Sequence, residues 1–375
     1  MKIEQYILSD NLIQGKLGTR ANLVLLFGAT NRIRQSGLFD RIRSAYPNAC
    51  IFGCTTAGEI IGTQVLDNSL IVTAVSFSAT KASGAMVKAV TANDSRRAGA
   101  ELAKSLAADD LKHVFVLSEG LNINGSELVK GLIDHLPSGT TITGGLSGDG
   151  DRFQETYVLL NGEPARDAVG AVGFYGNSLR VGYGSLGGWD PFGPERLITS
   201  SRGNILYELD GKSALALYKE YLGEHANGLP ATGLLFPLSL RMNGSSSIPV
   251  VRTLLSVNEK DQGMTFAGNM PMNAYARLMK ANFERLIDGA VGAAMTSSET
   301  IGHLKPELAI LISCVGRKLI LKQRIEEEVE GVRDVLGGDA AYTGFYSYGE
   351  ISPFVKGGTC ELHNQTMTIT ALSEE

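Results

Sequence analysis

Three short stretches decide how this chain is read: GCTTAGE at 53–59, GLSGDGD at 145–151 and GFYSYGE at 344–350. Each obeys the pattern G-x-x-x-x-G-[DE]. One such match is cheap in a chain with 45 glycines among 375 residues, so the flanks carry the argument. Upstream of each turn stands an apolar run ending in a small residue: LVLLFGA (23–29), HVFVLSEG (113–120) and LAILISCVG (308–316). The glycine ending each run precedes the first glycine of its turn by 25, 25 and 28 residues (28 to 53, 120 to 145, 316 to 344). Unbroken apolar runs of this length fit strands buried on both faces.

A helical pattern fills each interval. In RKLILKQRIEEEVEGVRDVLGG (317–338), Leu321, Ile325, Val329, Val332 and Leu336 fall on one face, and Gly337 is a stop. The counterparts are LFDRIRSAYP (38–47) and NGSELVKGLIDHLPSG (124–139), the latter with Ser126 as candidate N-cap. After each turn comes a strand pattern: 68–77, 156–162 and 365–372. The unit is strand, helix, strand, Gly-rich turn, strand. The expected fold class is α/β, with repeated units of this kind, mixed sheets and flanking helices in two associated domains. Between copies two and three lie strand patterns, a Pro/Gly turn cluster at GWDPFGPE (188–195), a helix at KSALALYKEYLG (212–223) and a long helix candidate over Asn273–Ala294. The boundary is placed so that the domains are 1–197 and 198–375.

Composition narrows the function. With 34 basic and 39 acidic residues the net charge is −5, and no basic stripe offers a nucleic-acid surface. No apolar run approaches the ~18 residues of a membrane helix, and the first residues lack the apolar stretch of a signal peptide. The expectation is a cytoplasmic protein with no membrane partner. Cys50, Cys54, Cys314 and Cys360 form no CxxC, and no Cys/His cluster has zinc spacing.

At the turns, Thr55, Thr56, Ser147 and Ser347 offer hydroxyls, Tyr346 and Tyr348 offer phenols, and Glu59, Asp151 and Glu350 offer carboxylates. Two readings stand. Three similar corners converge on one pocket and their acids receive a ligand ammonium group. Alternatively, each glycine shapes a corner and each acid accepts turn N–H groups. His363 and Asn364 precede the last strand, flanked by Cys360 and Met367. They either make turn hydrogen bonds or, in the case of His363, present an imidazole to a metal such as haem iron. A cysteine nucleophile at Cys54 or Cys314 is the enzymatic alternative, and it requires a depressed thiol pKa. GKS at 211–213 lacks the earlier glycine of a phosphate loop, because Leu206 stands there.

GCTTAGEI (53–60) resembles the signature of the FIST domain family. GW-x-P (188–191), NILYELDGKSALALYKEYLG (204–223), SCVGR (313–317), GFYSYGEISP (344–353) and LHNQTMT (362–368) resemble the C-terminal region of that family, in its order. The resemblance spans nearly the whole chain. It implies a FIST N-terminal and a FIST C-terminal domain and a sensory module of bacterial signal transduction, not an enzyme. Such a module binds a small ligand and acts on a partner such as a histidine kinase or a cyclic-di-GMP enzyme. Amino acids or their relatives are one implied ligand class, for which Glu350, Glu59 and Arg317 would serve. Nitric oxide bound through haem is another, with His363, Tyr346 and Tyr348 as candidate axial ligands. No cofactor is required by the residues themselves.

Overall fold

The structure is a computed structural model and describes residues 1–8, 15–89, 91–242 and 249–375. The repeat is real and larger than its sequence trace. Copy one runs through β1 (Lys2–Ile7), β2 (Leu23–Gly28), α1 (Thr30–Ile33), α2 (Leu38–Ala45), β3 (Cys50–Thr55), β4 (Glu59–Ile61), β5 (Gln64–Leu66) and β6 (Leu70–Ser76). Copy two comprises β7 (Lys81–Lys88), α3 (Ser95–Leu106), β8 (Leu111–Ser118), α4 (Gly125–Ile133), β9 (Thr141–Leu146), β10 (Val158–Leu160) and β11 (Ala168–Tyr175). Copy three opens with β12 (Leu179–Leu186) and is then interrupted. The insertion holds β13 (Trp189–Arg202), β14 (Ile205–Leu209), β15 (Lys212–Ser213), α5 (Ala214–Leu222), β16 (Leu238–Arg241), β17 (Val250–Arg252), β18 (Leu254–Asn258), β19 (Gly263–Phe266) and β20 (Tyr275–Ala281). Copy three resumes with α6 (Phe283–Thr300), β21 (Leu308–Cys314), α7 (Val315–Leu321), α8 (Ile325–Leu336), β22 (Ala341–Ser347), β23 (Gly349–Pro353), β24 (Cys360–His363) and β25 (Met367–Glu374).

Each copy builds one mixed sheet on the same plan. The two apolar strands pair in parallel (β2 with β3, β8 with β9, β21 with β22). The copy's last strand pairs antiparallel with the first of these, and its opening strand lies outside that. The strand that follows the Gly-rich turn leaves home. β4 joins the sheet of copy three, β10 that of copy one, and β23 that of copy two. The three sheets are thus tied in a ring by a cyclic exchange of strands.

Strand alternation fixes the layers. Leu23, Leu25 and Phe27, Phe115 and Leu117, and Leu308, Ile310 and Ile312 point into one core shared by all three copies. Val24 and Leu26 face α2, while Val114, Val116, Ala309 and Leu311 belong to the outer core under the helices. Both faces are covered, which is why these strands read as unbroken apolar runs. Each such side chain, fully buried, contributes about 1.5–3 kcal/mol.

One glycine per copy is demanded by the parallel pairing. A Cβ at Gly53, Gly144 or Gly344 would collide with the carbonyl oxygen of Leu26, Val116 or Leu311 on the neighbouring strand. In copy two this is Gly144, one residue before the glycine that aligns in sequence.

Several local expectations change. The long helix over Asn273–Ala294 is strand β20 followed by α6, because pairing with β13 and β16 overrides the helix propensity of YARLMKA. The helix at 317–338 breaks at Lys322, whose φ is 49°. WDPFGPE (189–195) lies within β13, which breaks register between Phe192 and Arg196. The cap of α4 is Asn124, which accepts from the Glu127 amide. The 156–162 strand is the exchanged β10, and the home strand of copy two is β11. The molecule is a mixed α/β fold in which the insertion, residues 189–281, forms its own sheet against the threefold core.

Candidate functional site

The three Gly-rich corners do meet, and they close on one another. Ala57 N donates to Tyr346 O (2.8 Å), Gly148 N to Thr55 O (3.0 Å) and Tyr348 N to Leu146 O (3.2 Å). The cyclic strand exchange makes this geometry necessary, since each corner is where a strand crosses to the next sheet. Thr55, Thr56, Ser147, Ser347, Tyr346 and Tyr348 are all buried.

Their polar groups are spoken for. Glu59 accepts from Thr56 Oγ1, from Ser69 N (3.0 Å) and from Ser69 Oγ (2.6 Å). Glu350 repeats the pattern, accepting from Ser347 Oγ (2.6 Å) and from the Thr366 amide (3.1 Å) and hydroxyl (3.0 Å). Copy two has no such pair, because Gly148 replaces the hydroxyl and Asp151 is exposed. There Asp149 accepts from Tyr348 OH and from the amides of Phe153, Gln154 and Glu155. Burial raises the pKa of Glu59, and it pushes Glu350 up to about 8. Thr55 Oγ1 accepts from Tyr157 N, and Ser147 Oγ donates to Ser118 O. Tyr346 OH donates to Glu328 (2.7 Å), a residue that sequence reasoning passed over. Arg317 pairs with the same carboxylate and donates to the carbonyls of Gly187 and Leu286. None of these turn groups, nor Arg317, lines the cleft between the insertion and the core.

His363 and Asn364 do, beside Thr366. They border a cleft of about 350 Å³ between the insertion and the core. Its walls join Gly187–Trp189 to β16, β17 and β20, so the GW-x-P and LHNQTMT stretches become neighbours. Trp189 Nε1 donates to Gln365 O at 3.0 Å. His363 Nε2 lies 2.7 Å from the Ser352 carbonyl and so carries the proton. Its Nδ1 is buried with no hydrogen-bond partner. Burial holds the imidazole neutral, its pKa lowered to about 3. Asn364 accepts from Thr253 N (3.1 Å) and donates to Tyr348 O (3.3 Å). Arg241 and Arg277 add cationic donors. Arg241 is forked onto Glu195 (2.8 and 3.2 Å), and Arg277 donates through Nε to Gly193 O (2.8 Å). Sequence gave no signal for either arginine, since isolated basic residues on strands look like solvated surface.

The thiols do not match a nucleophile. Burial raises Cys54 and Cys314 well above the ordinary range. Among the described residues no group of three or more His, Cys, Asp and Glu is placed to hold a metal. No described helix is long and apolar enough to cross a membrane.

The class of protein follows from comparison. The FIST N domain family model matches residues 22–212 and the FIST C domain model residues 214–353. The chain belongs to the FIST family, whose domains are associated with signal transduction and small-ligand sensing. It is 22% identical over 347 residues to an uncharacterized protein of Methanocaldococcus jannaschii, covering 85% of this chain and 65% of that protein. The chain therefore spans slightly under two thirds of the length of that relative. A crystal structure of a chorismatase aligns over 99% of this chain and 98% of its own, at 9% identity and a TM-score of 0.34.

Proposed function

We propose that this protein is a cytoplasmic, non-enzymatic sensor of a small carboxylate-bearing molecule, of the amino-acid class, bound in the cleft between insertion and core. The observation that carries this reading is the pairing, in one cleft, of a bare buried acceptor, His363 Nδ1, with the arginine donors Arg241 and Arg277. An amino acid supplies the complement: N–H donors for the imidazole nitrogen and for Glu195, and a carboxylate for the guanidinium groups. A volume near 350 Å³ lies at the small end of ligand sites, which run from about 300 to 1,000 Å³.

The residues do not fit haem. Tyr346 and Tyr348 donate to carboxylates, and the Phe354 ring stands 3.9 Å from the imidazole of His363. The cleft is also too small for a porphyrin. The nitric oxide reading rests on haem and loses its support with it.

Transmission requires that ligand bind two arrangements unequally. A cleft whose walls belong to the insertion on one side and the core on the other supplies that difference, and the receiver would be a signalling enzyme such as a histidine kinase or a cyclic-di-GMP enzyme. The lone tryptophan borders the cleft, so its emission is the natural readout. Titration with a panel of amino acids is expected to shift Trp189 emission saturably for at least one of them, and Arg277→Ala to weaken that response. A panel that moves neither the emission nor the melting temperature would overturn the reading.

A further inference from the structure

The ribbon β16–β17 has a second face. Ser239, Arg241 and Val251 look into the cleft described above, while Leu240, Val250 and Arg252 look the other way, into a separate cleft of about 340 Å³. Arg252 dominates that second space. Its side chain is 3% exposed, yet no carboxylate lies within ion-pair distance among the described residues. Instead it donates to neutral acceptors: Asn269 O (3.3 Å), Val251 O (3.2 Å), Leu362 O (2.9 Å) and Ser126 Oγ (3.3 Å). Buried charges are ordinarily paired, because leaving water without a counter-charge is expensive. The other fully buried arginine, Arg317, obeys this rule with Glu328.

The surroundings favour an anion. Ser126 sits in the first turn of α4, where the helix dipole attracts negative charge. Lys130, one turn on, lines the same cleft and is paired with Glu127 at 2.8 Å. Glu361 is exposed, lines the same cleft beside Leu362 and attracts the guanidinium without an ion-pair contact. The backbone is cut to fit the guanidinium: a Cβ at Gly268 would stand 2.9 Å from Arg252 Nε and still closer to Ser126 Oγ.

We propose that this second cleft is an anion site, in which Arg252, with Ser126 and Lys130, takes the oxyanion group of a small carboxylate or phosphate ligand. The site is independent of the sensor cleft, although Phe354 borders both.

Calorimetric titration of the full chain tests it, with inorganic phosphate in one arm and acetate in the other, which separates the two oxyanion chemistries. Saturable binding is expected in at least one arm. Arg252→Met should abolish it. Lys130→Ala should weaken it by about tenfold, the scale of one charged hydrogen bond, and Glu361→Gln should tighten it. These last two sit at the rim and decide the matter should Arg252→Met fail to fold. Lys305→Ala, at an exposed position that lines neither cleft, should leave it unchanged. Failure of both anions to saturate, indifference to both rim variants, or loss of binding in Lys305→Ala would each overturn the proposal.

Discussion

Arg317 and Glu328 form an ion pair with neither side chain exposed, the Nη2 nitrogen 2.7 Å from Oε2. The same carboxylate accepts from Ser313 Oγ and Tyr346 OH on the neighbouring parallel strands. It therefore pins α7 and α8 to the sheet of copy three, while Arg317 reaches the Gly187 carbonyl at the edge of the cleft between insertion and core. Glu328→Ala strands a buried guanidinium and two hydroxyls. A loss of about 3–5 kcal/mol in urea unfolding is expected. The double change Arg317→Met with Glu328→Leu should recover most of it, because no lone charge remains. A single variant as stable as the parent would remove the pair from the account of the fold.

The repeated glycines make a second test. Gly344→Ala and Gly53→Ala should each cost about 1–3 kcal/mol or more, since the new methyl group meets a neighbouring carbonyl that belongs to a paired strand. Gly338→Ala, where nothing stands near, should stay within about 0.5 kcal/mol. Copy two is the sharper case: Gly144→Ala should be damaging because Val116 O blocks it. Thermal melts of the four variants would show the contrast, and equal melts would refute it.

Glu350 sets a pH dependence. Its pKa in the fold is about 8, above the ordinary 4.5, chiefly through burial. Between those values the folded chain binds more protons than the unfolded one, so stability must fall as pH rises through that window. Glu350→Gln removes the titration. Urea midpoints taken from about pH 5 to 8 should decline more steeply for the parent than for the variant. Parallel curves would mean that Glu350 does not hold its proton.

For His363 the sign reverses. A pKa lowered from 6.5 to about 3 means that the unfolded chain takes up the proton first, so stability is lost as pH falls through that range. His113, buried between Thr141 and Thr143 and also lowered to about 3, adds to the same loss. Nitrogen-edited NMR at about pH 6 should show His363 neutral, with the proton on Nε2 and a bare Nδ1. An imidazolium signal there would contradict the cleft chemistry.

The parallel strands, the helices between them and the triple repeat were legible in sequence because each rests on local periodicity: runs such as LVLLF and LAILISC carry their burial in their composition, and the spacing of the corners repeats. The convergence of the corners was expected, and the structure brings them into direct backbone contact. Their acids followed the plainer reading at Glu59 and Glu350, as acceptors of neighbouring hydroxyl and amide groups. Of the candidate ligand residues, His363 and Asn364 border the cleft between the insertion and the core.

What the chain by itself determined is the unit, a pair of buried parallel strands with a helix between them and a glycine corner after, since hydrophobic period and turn chemistry act over a few residues. What only tertiary structure decided is where three-residue strands such as β4 and β10 go after the corner, and that β13, β16, β17 and β20 would place Arg241 and Arg277 opposite His363. Short strands carry too little pattern to name a partner. A pocket made by residues up to 180 positions apart, from Leu186 to Thr366, exists only once distant segments pack.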